Sequence, residues 1–271
     1  MPLENLIDST PSPATVDSLK KDLSDLGIQP GMVLLVHSSL SSLGWVNGGA
    51  VAVILALEEI LGSHGTLVMP THSGDLSDPG EWEAPPIPKD WWDTVRSSMP
   101  AYEASLTPTS MMGKIPETFR KQTGVLRSNH PQVSFAAWGA QAESITANHA
   151  LNYSLGEDSP LARIYELGGS VLLLGVDHSN NTSLHLAEYR AEYPTKKTTR
   201  NGAPILVDQQ RQWVEIVDIN LDSDDFLQIG EAFSSNAGQE KQGQVAMASA
   251  RLMSQKALVD YGVVWMEKNR A

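Results

Sequence analysis

Apolar residues along this chain fall in two periods. From Thr15 to Leu26 they recur at Val16, Leu19, Leu23 and Leu26, the spacing of one helix face, and Gly27 marks the stop. Ala50 to Leu61 repeats the pattern, with Gly62 as its stop. Short apolar runs stand between and after these stretches: Met32 to Val36, Gly65 to Pro70 and Ser170 to Gly175. Runs of that length, bounded by Gly and Pro, predict strands buried on both faces. A strand, loop, helix and second strand in succession predict a β-loop-α-β unit with a parallel pair.

Downstream the periodicity loosens. Thr71 to Pro108 is rich in Pro, Asp and Trp, and a segment so long and irregular predicts a functional loop or lid. Within it, Pro88 and Asp90 open a short helix carrying Trp91 and Trp92. A short helix is expected over Met112 to Arg120, a loop and strand over Val125 to Trp138, and a helix over Gly139 to Asn148. Asp158 or Ser159 caps a helix from Pro160 to Leu167, with Pro at its first position. Leu184 to Tyr193 predicts a helix, and Ala203–Val207 with Gln212–Val217 a hairpin around Asp208 to Arg211. Asp222 to Ser235 predicts an acidic helix, Gly243 to Val245 a short strand, and Ala246 to Lys268 a long closing helix. Residues 1–13 hold three prolines and predict a frayed, flexible arm. With no internal repeat or linker, residues 14–271 predict a single α/β domain with long inserted loops.

Composition works mainly by exclusion. The 271 residues are 41% hydrophobic and 19% charged, which is enough to bury a real core. A formal net charge of -13 argues against nucleic acid and anionic membranes as partners; it suits a cationic ligand and serves solubility equally well. The absence of cysteine excludes disulfides, Cys-ligated metal and a Cys nucleophile. No signal-peptide pattern and no run of transmembrane length is present, so a cytoplasmic location is expected, and a homodimer is compatible with the size and class.

The turn after the third apolar run is the richest in reactive side chains: Asp177, His178, Ser179, Asn180, Asn181, Thr182, Ser183, His185 and Glu188. In open α/β sheets, ligands bind at the mouths of such strand-to-helix turns. His185 and Glu188 are three apart and share a helix face. A carboxylate beside an imidazole raises its basicity and fixes its tautomer, although such a pair is also an ordinary surface stabiliser. Asp158 is a second candidate partner. His37-Ser38-Ser39 likewise leaves a buried strand, toward Gly48-Gly49 at a helix start. Hydroxyls and backbone N–H groups there suit phosphates, and Ser38 is equally a plain turn residue. There is no G-x-G-x-x-G, no Walker lysine and no G-x-S-x-G elbow. His72, Asp75, Asp78 and His130 lack a metal-ligand spacing, so no metal is expected. His130, before Pro131, reads as a loop holder, and His64 and His149 as surface residues.

Together these stretches resemble the aminoglycoside N3-acetyltransferase family, antibiotic acetyltransferases distinct from the GNAT fold. The resemblance rests on Val36 to Leu40 with Gly48-Gly49, Gly65 to Thr71, and Thr107 to Thr109 with Met112-Gly113. It continues through Arg127 to Pro131 with Ser134 to Gly139, Gly156 to Leu161, and Asn181 to His185 with Ala187-Glu188. It implies an α/β/α layered fold with a central mixed sheet, and acetyl-CoA as the donor that a substrate amine attacks directly. It implies His185 as general base, with Asp158 and Glu188 as acidic partners. His37, Ser38 and Ser39 are then contacts to the CoA phosphates, and Thr71, Thr107, Ser134 and Phe135 walls of the cofactor channel. Asp75, Asp158, Asn181 and Thr182 are expected on the substrate side, the last two also as oxyanion donors. With no Cys for an acyl-enzyme, a ternary complex is expected. The acceptor is expected to be an aminoglycoside-like polycation, with antibiotic resistance as a consequence. Ser179 stands where relatives often carry Asp. That departure keeps a second reading open, a non-catalytic relative that binds CoA or an amine without turnover.

Overall fold

The apolar runs become strands. In chain order they are β1 (Val33–Ser38), β2 (Thr66–Pro70), β3 (Leu126–Arg127), β4 (Phe135–Gly139), β5 (Ser170–Leu174), β6 (Thr198–Val207), β7 (Gln210–Ile219), β8 (Glu240–Val245) and β9 (Ala248–Ser254). The structure is a computed structural model that describes residues 3–237 and 239–270; Met1 and Pro2 of the expected arm and Ala271 lie outside the described residues. Seven strands form one sheet in the order β3-β4-β2-β1-β5-β9-β8. β1 runs parallel to β2 and β5, with Leu35 opposite both Val68 and Val171. The remaining pairings are antiparallel, so the sheet is mixed.

Alternation along the strands divides the core between two faces. Leu34, Val36, Leu67, Met69, Leu172 and Leu174 pack beneath the helices Val16–Leu26, Gly49–Leu61 and Lys114–Phe119. Leu35, Val68, Val171, Leu173 and Met253 face the other layer, formed by Ala142–Thr146, Pro160–Glu166, Ser183–Arg190, Phe226–Ala237 and Gln255–Asn269. The result is the α/β/α arrangement. Local chemistry sets the helix ends. Thr15 and Ser18 form a reciprocal capping box, and Gly27 closes the same helix in the left-handed region at φ 114°. Ser159 caps Pro160–Glu166 by accepting from Ala162 N, which leaves Asp158 outside the cap.

Several elements differ from expectation. The closing helix is only Gln255–Asn269, because Ala248–Ser254 is a strand between β5 and β8. Ala248, Ala250 and Leu252 are buried while Ser249 and Arg251 are less so; the free edge of β5 selects this period of two over the helix propensity of an Ala-rich stretch. The arm carries a short helix, Leu3–Ser9. The hairpin β6–β7 is longer than expected and closes through Asp208 and Gln209, both at positive φ as a two-residue turn requires. The 71–108 segment is ordered against this hairpin: Tyr102 N donates to Pro204 O at 2.9 Å, and Gln132 Nε2 bridges Leu76 O and Gly202 O, both at 3.2 Å. Among the described residues no helix is long and apolar enough to cross a membrane.

Candidate active site

Because β2, β1 and β5 are parallel, their C-terminal ends open at one edge of the sheet. Thr71-His72, His37-Ser38 and Gly175-Asp177 all emerge there. β1 connects forward to β2 on one side while β5 flanks it on the other, so the crevice between β1 and β5 is a topological switch point. His37 has the parity of Leu35 and faces the layer that holds the helix Ser183–Arg190. Its Nε2 lies 3.3 Å from Thr182 Oγ1, a residue 145 positions away in sequence. Ser39 N donates to Leu174 O at 2.9 Å and Ser42 Oγ to Gly175 O at 3.0 Å, which ties the two loops together.

The turn after β5 is held at both ends. Asp177 Oδ1 accepts from Ser179 N at 3.0 Å and from Ser179 Oγ at 2.5 Å. His178 is fully buried, with Nε2 2.8 Å from Glu240 Oε2. One helical turn further on, His185 Nδ1 meets Glu188 Oε2 at 2.5 Å. Glu188 is fully buried, and its other oxygen accepts from Arg270 Nη1 at 2.7 Å and Asp222 N at 2.9 Å. Three hydrogen bonds from three segments fix the position of this buried carboxylate, as a buried charge requires pairing and hydrogen bonds. The network assigns the Nδ1 proton of His185 to Glu188. Among the described residues Nε2 has no protein partner and can accept a proton. Phe226 packs edge-on against the ring, with centroids 4.7 Å apart.

Two further imidazoles approach this dyad. Burial, with the nearby His185 adding to it, pushes His37 down to about 3. Burial, then His185 and His37, does the same to His72, also to about 3. Both rings are therefore neutral at neutral pH. His72 rests edge-on against Phe135 with centroids 5.3 Å apart. Ser38 Oγ, His72 Nε2 and Asn181 Nδ2 are shielded and have no protein partner. Buried polar atoms are nearly always satisfied, so three exceptions from three segments that meet at one sheet edge suit a polar ligand.

The structure sorts the remaining candidates. Asp158 is exposed, its backbone oxygen accepting from Ala150 N at 3.1 Å, and the acid on His185 is Glu188 instead. Thr71, Ser134 and Phe135 are fully buried and stand behind the wall of the crevice. Arg127 binds this wall together, donating to Ser134 Oγ at 2.9 Å, Thr107 O at 2.5 Å and Thr71 O at 2.6 Å. Asp75 is exposed in the 71–108 segment and accepts from Ser110 Oγ at 3.0 Å. Asp78 is committed to Arg96, and His130 accepts from the amides of Gln132 and Val133. His149, expected at the surface, is buried between Ser128 Oγ at 2.9 Å and Ser154 O at 2.6 Å. Among the described residues no three His, Asp or Glu side chains converge as a metal site. Sequence reasoning misses Arg270 altogether, because 82 residues separate it from Glu188 and a lone Arg near a helix end carries no motif.

Known proteins share this architecture. The family model described as aminoglycoside 3-N-acetyltransferase matches residues 35–267. The SPbeta prophage-derived aminoglycoside N(3')-acetyltransferase-like protein YokD of Bacillus subtilis is 46% identical over 268 residues, covering 98% of this chain and 97% of that one. Its crystal structure superposes with a TM-score of 0.96 over 98% of each chain. Aminoglycoside N(3)-acetyltransferase VII of Streptomyces paromomycinus is 37% identical, covering 97% and 95% of the two chains. The structure of AAC-IIIb in a binary complex with CoASH is 33% identical and matches with a TM-score of 0.86 over 96% of this chain and 98% of that one.

Proposed function

Because the chain belongs to the aminoglycoside 3-N-acetyltransferase family and is an acyltransferase, we propose that it moves an acetyl group from acetyl-CoA to an amine of an aminoglycoside-like polycation, by direct attack within a ternary complex. The observation that carries this reading is the His185–Glu188 pair at the mouth of the parallel strands, with Nε2 available. An amine attacks a carbonyl only after losing its proton, and His185 Nε2 takes that proton. Glu188 balances the imidazolium that forms. Arg270 and the Asp222 amide keep Glu188 in place while it does so.

Acetyl-CoA supplies an acyl group already activated as a thioester. The residues present fit such a donor: Asn181 Nδ2, Ser38 Oγ and the neutral His72 are unpartnered groups able to donate to an oxygen on which charge builds. The CoASH complex of AAC-IIIb supports the choice of donor. A net charge of -13 and the acidic lid suit a polycationic acceptor.

The test combines thiol release from acetyl-CoA, over a panel of aminoglycosides and other amines, with the thermal shift caused by CoA. His185→Gln and Glu188→Gln are expected to lower kcat by about 10²–10⁴-fold while keeping the CoA shift. No shift at millimolar CoA, or undiminished turnover in His185→Gln, would end this reading. A shift without thiol release on any amine would favour the non-catalytic alternative.

A further inference from the structure

We propose that Arg270 is a positioning residue that tunes the proton affinity of the His185–Glu188 pair; this rests on the reading of that pair given above. The two oxygens of Glu188 are divided between an imidazole and a guanidinium. Oε2 holds His185 at 2.5 Å and Oε1 holds Arg270 Nη1 at 2.7 Å. Arg270 is in turn fixed by Asp225, with Nε on Oδ2 at 2.7 Å and Nη2 on Oδ1 at 2.6 Å, a bidentate fork that sets its plane. Nη2 also donates to Asp222 O at 2.8 Å, and Nη1 to Tyr193 OH at 3.3 Å. Behind His185, charge therefore alternates along a line from Glu188 through Arg270 to Asp225. Glu188 is fully buried and the Arg270 side chain is only 9% exposed, so solvent screens this line weakly.

Among the described residues, few charged and titratable groups surround the pair. On the Glu188 side they are Arg270, Asp225, Asp222 and Tyr193. On the His185 side they are His37 and His72, both neutral, beside the uncharged ring of Phe226. Arg270 is the one Lys or Arg among the described residues that touches Glu188. Its charge offsets part of the Glu188 field, so the imidazole is less easily protonated and stays available as a base. Without that charge, the full negative field of Glu188 and the unpaired Asp225 would both favour the imidazolium.

The experiment is Arg270→Gln and Arg270→Lys, each checked for folding by its melting curve. In Arg270→Gln the His185 ring signals, followed by NMR, should titrate about one pH unit or more higher than in the parent. The acid limb of kcat/KM should move by the same amount, and the turnover lost at neutral pH should return at higher pH. Arg270→Lys keeps the charge and should restore most of the parental midpoint. Asp225→Asn, which keeps the Arg270 charge and removes an anion behind it, should leave the midpoint at or below the parental value. The proposal is overturned if the folded Arg270→Gln protein titrates at the parental midpoint. It is also overturned if Arg270→Lys behaves like Arg270→Gln, or if turnover is lost equally at every pH. The ring titration does not need turnover, so it tests Arg270 even if acetyl transfer is never observed.

Discussion

Four shielded imidazoles should make this protein lose stability in mild acid, well above the range where carboxylates titrate. His130 shows the cause most plainly. Its Nδ1 accepts from Gln132 N at 3.1 Å and Val133 N at 3.0 Å, and its Nε2 meets Leu151 O at 3.2 Å. The ring proton therefore sits on Nε2, and a second proton would enter at Nδ1, against two N–H groups and away from solvent. Burial holds His130 at about 4. Burial likewise holds His37, His72 and His149 at about 3, with neighbouring imidazoles adding to it. An unfolded imidazole titrates near ~6.5. Between roughly pH 6.5 and 4 the unfolded chain thus binds protons that the folded chain refuses, so stability falls as pH falls. Above that window the contribution is fully present. At about pH 5.5 each ring costs about 1.4 kcal/mol, or on the order of 6 kcal/mol for the four, a large share of the ~5–15 kcal/mol that holds a typical domain. Urea unfolding at pH steps from about 7.5 to about 4.5 measures the slope, which is the difference in bound protons. His130→Asn places an amide oxygen where Nδ1 accepts, and should lower that slope by about one proton. Unchanged stability between about pH 7.5 and 5.5, or an unaltered slope in His130→Asn, would refute the reasoning.

Two further outcomes follow from the geometry. A Cβ added at Gly230 would lie 1.9 Å from His178 Cγ, so Gly230→Ala must displace that ring from Glu240, which Arg251 Nη1 also holds at 2.8 Å. Breaking such a buried pair costs about 3–5 kcal/mol, and a melting temperature within about 2 °C of the parent would contradict the packing described. Asp158→Asn should leave kcat within about twofold, because Glu188 is the acid on His185; a fall of about 100-fold would place Asp158 in the machinery.

Local physics is readable in the amino-acid sequence, and it accounts for much of the fold. The apolar runs at Val33, Thr66 and Ser170 specify strands because continuous burial on both faces needs no distant information. Ser159 before Pro160 marks a helix start, and His185 with Glu188 marks a dyad, because both pairings close within one helical turn. β9 is not readable, because Ala-rich residues favour a helix until the free edge of β5 offers hydrogen bonds. Burial of His149 and the turning of Asp158 to solvent depend on side-chain direction, which neighbouring residues leave open. The meeting of His37 with Thr182 waits on strand order, and the grip of Arg270 on Glu188 on the docking of the closing helix. Period and capping are set by interactions within a few residues. The pairing and desolvation of charges are set by which distant segments close over them, and only the tertiary structure decides that.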